Sequence, residues 1–515
     1  MKDFVKYTLA TLCGLFLAGI ALFILGILSI AGMMTMESAA PSIKPQSVLR
    51  LTLNGELQED APNDPLGDLF GSTYPTLSLR EIQTAIQGAK ENPNIDGIYI
   101  EAQTLLGATP AMIRDIRESL ADFKKSGKYI IAYGDNYTQG AYYICSIADS
   151  IILNPQGQVN WCGMASQPIF YKDLLEKIGI KMQVFKVGSY KSAVEPFTAT
   201  RMSDANREQV TSYLNDIWQT MLTDVSRSRS IKKDLLNEYA DSMLTFRPAE
   251  ELVRNGMVDS LCYIDGISRM LRAKTGKDKG ALPLVSVKEL AAATEATPKK
   301  GDKIAVYYAY GDIVDRKTEW SENVIDAETV CRDLRTLRED ESVKAVVLRV
   351  NSGGGSAYAS EQIWHEVKLL REAKPVVVSM GGMAASGGYY ISCAANYIVA
   401  EPTTLTGSIG IFGLIPDASQ LLSDKLGLHF DVVKTNAHAD FGTLARPFNP
   451  SEAQMMQGYI QRGYKLFTER VADGRNMKTG QVEKLAEGRV WTGRQAVENG
   501  LADANGNLQT AIKKA

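Results

Sequence analysis

The sequence predicts two tandem α/β domains behind one membrane-spanning helix, and three observations carry that prediction. An uncharged, mostly apolar run opens the chain. A set of sequence blocks recurs at a spacing of about 247 residues, the interval from Gln139 to Ser386. Each copy of the set alternates short β-branched runs with apolar positions at helical spacing. At 515 residues the chain exceeds one ordinary domain. Hydrophobic residues make up 45% and charged residues 22%, which allows a sizeable core. The formal net charge is -3 and no long basic run occurs, which speaks against a nucleic-acid partner.

The apolar run comes first. Tyr7 through Met36 carry no charged residue. About 20 such residues span a bilayer, so this stretch suffices with tilt to spare. Lys2 and Lys6 precede it and Glu37 follows. The positive-inside tendency then keeps the N-terminus cytoplasmic and exports the rest. A cleavable signal peptide would carry an apolar core of only ~7–15 residues before a small-x-small site. Here the core is longer and Glu37-Ser38-Ala39-Ala40-Pro41 is a poor cleavage site, so a retained anchor is expected. Of six cysteines, Cys13 lies in the anchor. Cys145, Cys162, Cys262, Cys331 and Cys393 show no metal-ligand spacing and read as small buried residues. Spacing does not decide whether any two of them pair.

The duplication comes next. Gln139-Gly-Ala-Tyr-Tyr-Ile-Cys-Ser-Ile-Ala-Asp149 matches Ser386-Gly-Gly-Tyr-Tyr-Ile-Ser-Cys-Ala-Ala-Asn396. Ile95–Ile100 matches Val343–Leu348, and Lys177-Ile-Gly-Ile180 matches Lys425-Leu-Gly-Leu428. Val184-Phe-Lys186 matches Val432-Val-Lys434, and Asn255-Gly-Met-Val-Asp259 matches Asn499-Gly-Leu-Ala-Asp503. A period this long marks a domain duplication, not a solenoid. Strands are expected at 95–100, 128–133, 345–350 and 375–380, with helices at 110–125 and 359–373. Strand, helix and strand within ~35 residues form a βαβ unit with a right-handed crossover. The expected division is a cytoplasmic tip and anchor at 1–44, a first repeat at 45–274, a linker at 275–303 and a second repeat at 304–515. A helical fragment within the linker is expected near 287–293.

One repeat serves as a control for the other, so unshared polar residues are candidates for chemistry. Asn351-Ser-Gly-Gly-Gly-Ser356 follows a strand, whereas its counterpart Gln103-Thr-Leu-Leu-Gly107 has lost two glycines. Glycine after a strand lets backbone N–H groups approach an oxyanion closely. A flexible loop is the plain alternative. A phosphate cradle is disfavoured because no Gly-Lys-Ser/Thr follows. Ser386 stands among small residues between a strand and a helix, where the other repeat has Gln139. It can serve as nucleophile, as helix N-cap or as both. A serine nucleophile needs a base. His365 falls in a helical pattern and His429 has no nearby partner. His438, one position from the counterpart of Lys191, is the alternative base. Lys191 itself is unmatched, because its counterpart is Ala439. One repeat thus holds the lysine and the other the serine, which suggests one site built from both. A lysine acts as base only when neutral, which burial favours. The plain alternative is a surface lysine in a loop.

These residues carry a family resemblance. Gly188-Ser-Tyr-Lys-Ser-Ala-Val-Glu-Pro-Phe197 resembles the lysine motif of the signal peptide peptidase A (protease IV) family. Arg349-Val-Asn-Ser-Gly-Gly-Gly-Ser356 and Met383-Ala-Ala-Ser-Gly-Gly-Tyr-Tyr390 resemble its oxyanion and serine motifs. Thr406-Gly-Ser-Ile-Gly410 resembles the segment that follows. The resemblance spans nearly the whole chain and fits the long, two-domain form. It implies two tandem crotonase/Clp-like (ββα superhelix-type) α/β domains and a homotetramer outside the bacterial cytoplasmic membrane. It implies digestion of remnant signal peptides by a Ser/Lys dyad that needs no metal or organic cofactor. By position, Ser386 is the nucleophile, Lys191 the general base, and the Gly354 and Gly387 amides the oxyanion donors. Ser408 matches a serine that orients the lysine. Gly353 departs from the proline usual in the family and should loosen the loop. Two rival readings remain at this level: an acyl-CoA enzyme on the same fold, and a catalytically silent membrane scaffold.

Overall fold

The computed structural model describes residues 2–36, 42–61, 75–276, 281–296, 301–318 and 323–515. Lys2–Met36 form one helix, α1. Its stretch Lys2–Gly26 is long and apolar enough to cross a membrane. Phe4, Leu15, Phe16, Leu22 and Phe23 are all exposed there. A helix apolar on every side, with nothing packed on it, suits a bilayer. The segment Glu37–Pro41 lies outside the described residues.

The first repeat builds a mainly parallel sheet from β1 (Ser47–Gln58), β2 (Ile95–Leu106), β3 (Tyr129–Tyr137) and β4 (Ser150–Val159), side by side in that order. Its register runs Leu51↔Ile100 from β1 to β2 and Ile98↔Ile130 from β2 to β3. Helix α2 (Pro110–Lys124) crosses between β2 and β3, capped by the Thr109 side chain and opened by Pro110. Its Ile116, Leu120 and Phe123 join Ile98, Ile100 and Ile130 in the core. Helix α3 (Gln139–Cys145) follows β3 directly. Beyond the sheet stand β5 (Lys181–Lys186) and the long helix α4 (Asp204–Arg229).

The second repeat repeats this plan. β6 (Lys303–Tyr310), β7 (Val343–Ser352), β8 (Val376–Ala385) and β9 (Tyr397–Ala400) pair in parallel. Helix α5 (Ala357–Ala373) crosses over, and α6 (Gly387–Ser392) follows β8 as α3 follows β3. β10 (Phe412–Asp417) leaves the sheet. The duplicated residues do duplicated work. Tyr142 and Tyr389 each donate a hydroxyl hydrogen bond of 2.8 Å, to the carbonyls of Met257 and Leu501. The Asp259 carboxylate accepts from the Ile151 N–H and pairs with Arg229, as Asp503 accepts from Ile398 and pairs with Arg475.

The stretch expected as a linker contributes to the first sheet. Leu284–Ser286 pair in parallel with β1, and Val287–Glu295 form a helix closed by a Ser286/Glu289 capping box. Leu290 and Ala291 of that helix are buried in the first core. A three-residue strand is too short to show a period in sequence, which is why it went unread.

Among the contacts that join the halves are a strand pair and a set of buried ion pairs. β5 of the first pairs antiparallel with β10 of the second, from Lys181↔Asp417 to Lys186↔Phe412. Beside this pair, Arg349 on β7 is buried and salt-bridged to Glu59 at 3.0 Å and Asp115 at 2.8 Å. Arg114 on α2 reaches the buried Glu401 at 2.7 Å. Such buried charges fix one docking geometry, because removing one partner strands the other, at a cost of roughly 3–5 kcal/mol.

Candidate active site

Ser386 links β8 to α6 with φ 54 and ψ -118. A non-glycine residue rarely holds a positive φ, and the strain costs about 1–3 kcal/mol. Its side chain makes no capping hydrogen bond, so the plain N-cap role does not account for it. Its backbone N–H is tied to the Gly407 carbonyl at 2.9 Å. The glycine loop lies directly against it. A Cβ on Gly354, whose φ is +104, would fall 2.6 Å from the Gly387 nitrogen and 2.9 Å from the Ser386 Cβ. Only glycine fits there.

Lys191 arrives from the other half. The β5–β10 pairing aims the loop after β5 at the second repeat. The loop is then pinned by the Tyr190 N–H on the Glu487 carbonyl, at 3.0 Å. Gly410 and Gly488 lie against the lysine side chain and backbone, leaving no room for side chains of their own. Lys191 is 3% exposed. Its Nζ lies 3.0 Å from Ser386 Oγ, 2.9 Å from the Ser408 carbonyl and 3.0 Å from Ser408 Oγ. Burial alone pulls its pKa down from 10.5 to about 7. The structure therefore brings Lys191, Ser386 and Ser408 together.

The glycines stand close by, with one difference from expectation. Gly387 opens α6, and a helix leaves its first N–H groups without intrahelical acceptors. The Gly354 N–H, expected as an oxyanion donor, donates to Ser352 Oγ at 3.1 Å. The histidines stay away. His365 and His429 are exposed, and His438 faces Glu452 at 3.4 Å with a side chain 41% exposed. Ser386 Oγ is met by Lys191 instead. All six cysteines are free, and no metal-binding group of acidic, His and Cys side chains occurs among the described residues.

Gln209 is a residue that sequence reasoning missed. Its Nε2 donates to the Tyr190 carbonyl at 3.1 Å and the Ser192 hydroxyl at 3.0 Å, bracketing Lys191. Its Oε1 accepts from the Val490 N–H of the other half. A polar position in a long helix gives no local signal of such a role.

A serine strained into a half-buried turn, beside a buried lysine and a glycine loop, suits acyl transfer. The profile of peptidase family S49 matches residues 122–277 and 368–515, more than half of the chain. The chain belongs to peptidase family S49. A Clp protease profile also matches residues 312–404, in keeping with the Clp-like α/β plan of the repeats. The chain is 40% identical to protease 4 of Salmonella typhi over 91% of its own length and 78% of that protein's. It is 33% identical to the chloroplastic serine protease SPPA of Arabidopsis thaliana, over 91% of this chain and 69% of that one. A protein of Enterococcus faecium described as a signal peptide peptidase SppA is 36% identical over 42% of this chain and 65% of its own. As an S49 member, the protein is a serine protease of the long form, and α1 gives it a means of membrane anchoring.

Proposed function

We propose that this S49 peptidase degrades cleaved signal peptides by acyl-enzyme chemistry, with Ser386 as nucleophile and Lys191 as general base. The observation that carries the reading is the 3.0 Å approach of a buried lysine to a strained serine across two halves that each lack the other's residue. Neutral Lys191 accepts the Ser386 hydroxyl proton while the oxygen attacks the peptide carbonyl. Negative charge builds on the carbonyl oxygen, facing the N–H groups of Gly387 and Gly354. For Gly354 to contribute, its N–H exchanges the Ser352 hydroxyl for that oxygen. The lysine ammonium then protonates the departing amine. Water, deprotonated by the same lysine, releases the acyl group and restores the serine. Ser408 aims the amine through its hydroxyl and carbonyl. The chemistry calls for no cofactor.

The relatives' names and the apolar helix α1 support the substrate class, because spent signal peptides lie in membranes. In this reading the N-terminus is cytoplasmic, the enzyme's bulk lies outside the bacterial cytoplasmic membrane, and four copies assemble. The test is hydrolysis of a synthetic signal peptide by full-length enzyme in detergent. Wild type is expected to cleave it, with Ser386→Ala and Lys191→Ala inert. Wild-type rates in Lys191→Ala would remove the lysine from the mechanism.

A further inference from the structure

Gln209 joins Lys191 and Ser386 as a residue that one repeat has and the other lacks. Helix α4 and its counterpart Pro450–Arg475 end on Arg229 and Arg475, which pair with Asp259 and Asp503. The 246-residue spacing of these arginines maps Gln209 onto Met455. Met455 is 48% exposed, whereas Gln209 is 2% exposed. Gln209, Ser212 and Asp216 share one face of α4, and all three bind the second half. Asp216 holds Thr492 and Arg494, and the Ser212 hydroxyl accepts from the Gln495 amide at 3.1 Å. Of the three, Gln209 is the one that also touches the lysine loop.

The Gln209 amide faces two ways. Toward the first half, Nε2 donates to the Tyr190 carbonyl at 3.1 Å, on the peptide that leads into Lys191. Toward the second half, Oε1 accepts from the Val490 N–H at 3.1 Å. Val490 stands opposite Gly407 in an antiparallel strand pair. The Gly407 carbonyl holds the Ser386 N–H at 2.9 Å, and the Arg489 carbonyl holds the Ser408 N–H at 2.7 Å. One side chain therefore touches the loop that carries the lysine and the strand that supports both serines. Its partners dictate its chemistry: a carbonyl needs a donor and an N–H needs an acceptor. A carboxamide supplies both, where a carboxylate or an ammonium supplies one. Asn206 Oδ1 stands 3.1 Å from the same Nε2, and Asn206 is tied at 2.9 Å to the buried Glu195, so the amide is also steadied from its own helix. We propose that Gln209 is a positioning residue for the proton transfer, holding the lysine loop of one half and the serine-bearing strands of the other at the separation that keeps Lys191 Nζ within reach of Ser386 Oγ. The role rests on the proposed Ser386/Lys191 chemistry.

The charged groups around the loop are engaged elsewhere. The Glu487 carboxylate takes the Ser189 N–H, Glu208 pairs with Arg489 at 2.9 Å, and Glu195 takes Ser203 and Asn206. Burial alone brings the Lys191 pKa to about 7, so that value reads how tightly the loop closes over Nζ. The test uses full-length enzyme in detergent, with signal-peptide hydrolysis and the pH midpoint of fluorophosphonate labelling as readouts. Gln209→Met keeps the length and apolar bulk but loses both hydrogen-bonding ends. It should lower kcat by about 10–100-fold, the scale of a small misplacement of reacting groups, with KM within about twofold. Its labelling midpoint should rise above about pH 7 as water reaches the amine. Ser212→Ala, which loosens the same helix face without touching the lysine loop, should leave both readouts at wild-type values. If Gln209→Met does not fold, Gln209→Glu, which keeps the acceptor for Val490 and loses the donor for Tyr190, should show the same kcat loss and upward midpoint shift. Wild-type kcat in the Gln209 variant, or an impaired variant whose midpoint stays at about pH 7, would overturn the role. So would equal changes in Ser212→Ala, which would reduce Gln209 to general docking of the halves. Wild-type rates in Lys191→Ala would instead remove the Ser386/Lys191 chemistry itself, a separate result.

Discussion

The turn at Gln139 and the turn at Ser386 occupy the same place in two copies of one fold. At Gln139 the preceding residue, Thr138, sits at φ -64 and caps α3 with its side chain. The Gln139 amide then fastens the adjoining loop, accepting from the N–H groups of Cys162 and Gly163 and donating to the Gly163 carbonyl. At Ser386 the backbone is strained, no side chain caps the helix, and a lysine from the other half fills the position of the fastening. The relaxed turn is what the fold adopts when nothing else is asked of it. On the proposed mechanism, strain kept in only one of two equivalent turns is where chemistry is favoured over stability.

The comparison can be broken most decisively by exchanging what differs. Ser386→Ala and Lys191→Ala should each lower kcat/KM by on the order of 10^4-fold or more, as when members of a catalytic unit are removed. Gln139→Ala should leave it within about twofold, and a comparable loss there would end the distinction between the turns. Gly354→Ala drives a methyl into the Gly387 nitrogen and should cost roughly 10^2–10^3-fold in kcat, the scale of a lost oxyanion donor. Lys191→Met should stabilise the fold, by a few kcal/mol for a shift from 10.5 to about 7. The sign follows from the lowered pKa. Above about pH 10.5 the lysine is neutral folded or unfolded, and the gain vanishes. As pH falls the unfolded chain takes up the proton first, so the gain grows and levels off below about pH 7. Thermal melts at pH 6 and pH 10 check this, and equal gains at both would refute the buried-lysine account. Ser408→Ala should lower kcat about tenfold, the worth of one hydrogen bond to a charged group, with little change in KM. The smallest effect is expected from Gly353→Pro. Proline stiffens the unfolded loop and should raise stability by about 0.4–1 kcal/mol, read by denaturant midpoint, with activity kept.

Much of this was legible in the sequence because a duplication carries its own control. The β-branched runs at 95–100 and 345–350 became β2 and β7 because alternation and burial leave local marks. Lys191 and Ser386 stood out because each lacks a counterpart. What stayed hidden depends on contacts between distant positions. Glu59 and Asp115 meet Arg349 across separations of 290 and 234 residues. Gln209 brackets the lysine from a polar helix position. Nor could a motif show that Ser352 takes the Gly354 N–H, because that turns on one rotamer and one peptide orientation.

The most direct test of the shared site is the pH dependence of labelling by a fluorophosphonate serine probe on the full-length enzyme. The account predicts labelling at Ser386 that rises through about pH 7 as Lys191 loses its proton. It predicts no labelling in Lys191→Ala and an unchanged profile in His438→Ala. Labelling that persists in Lys191→Ala and disappears in His438→Ala would contradict it.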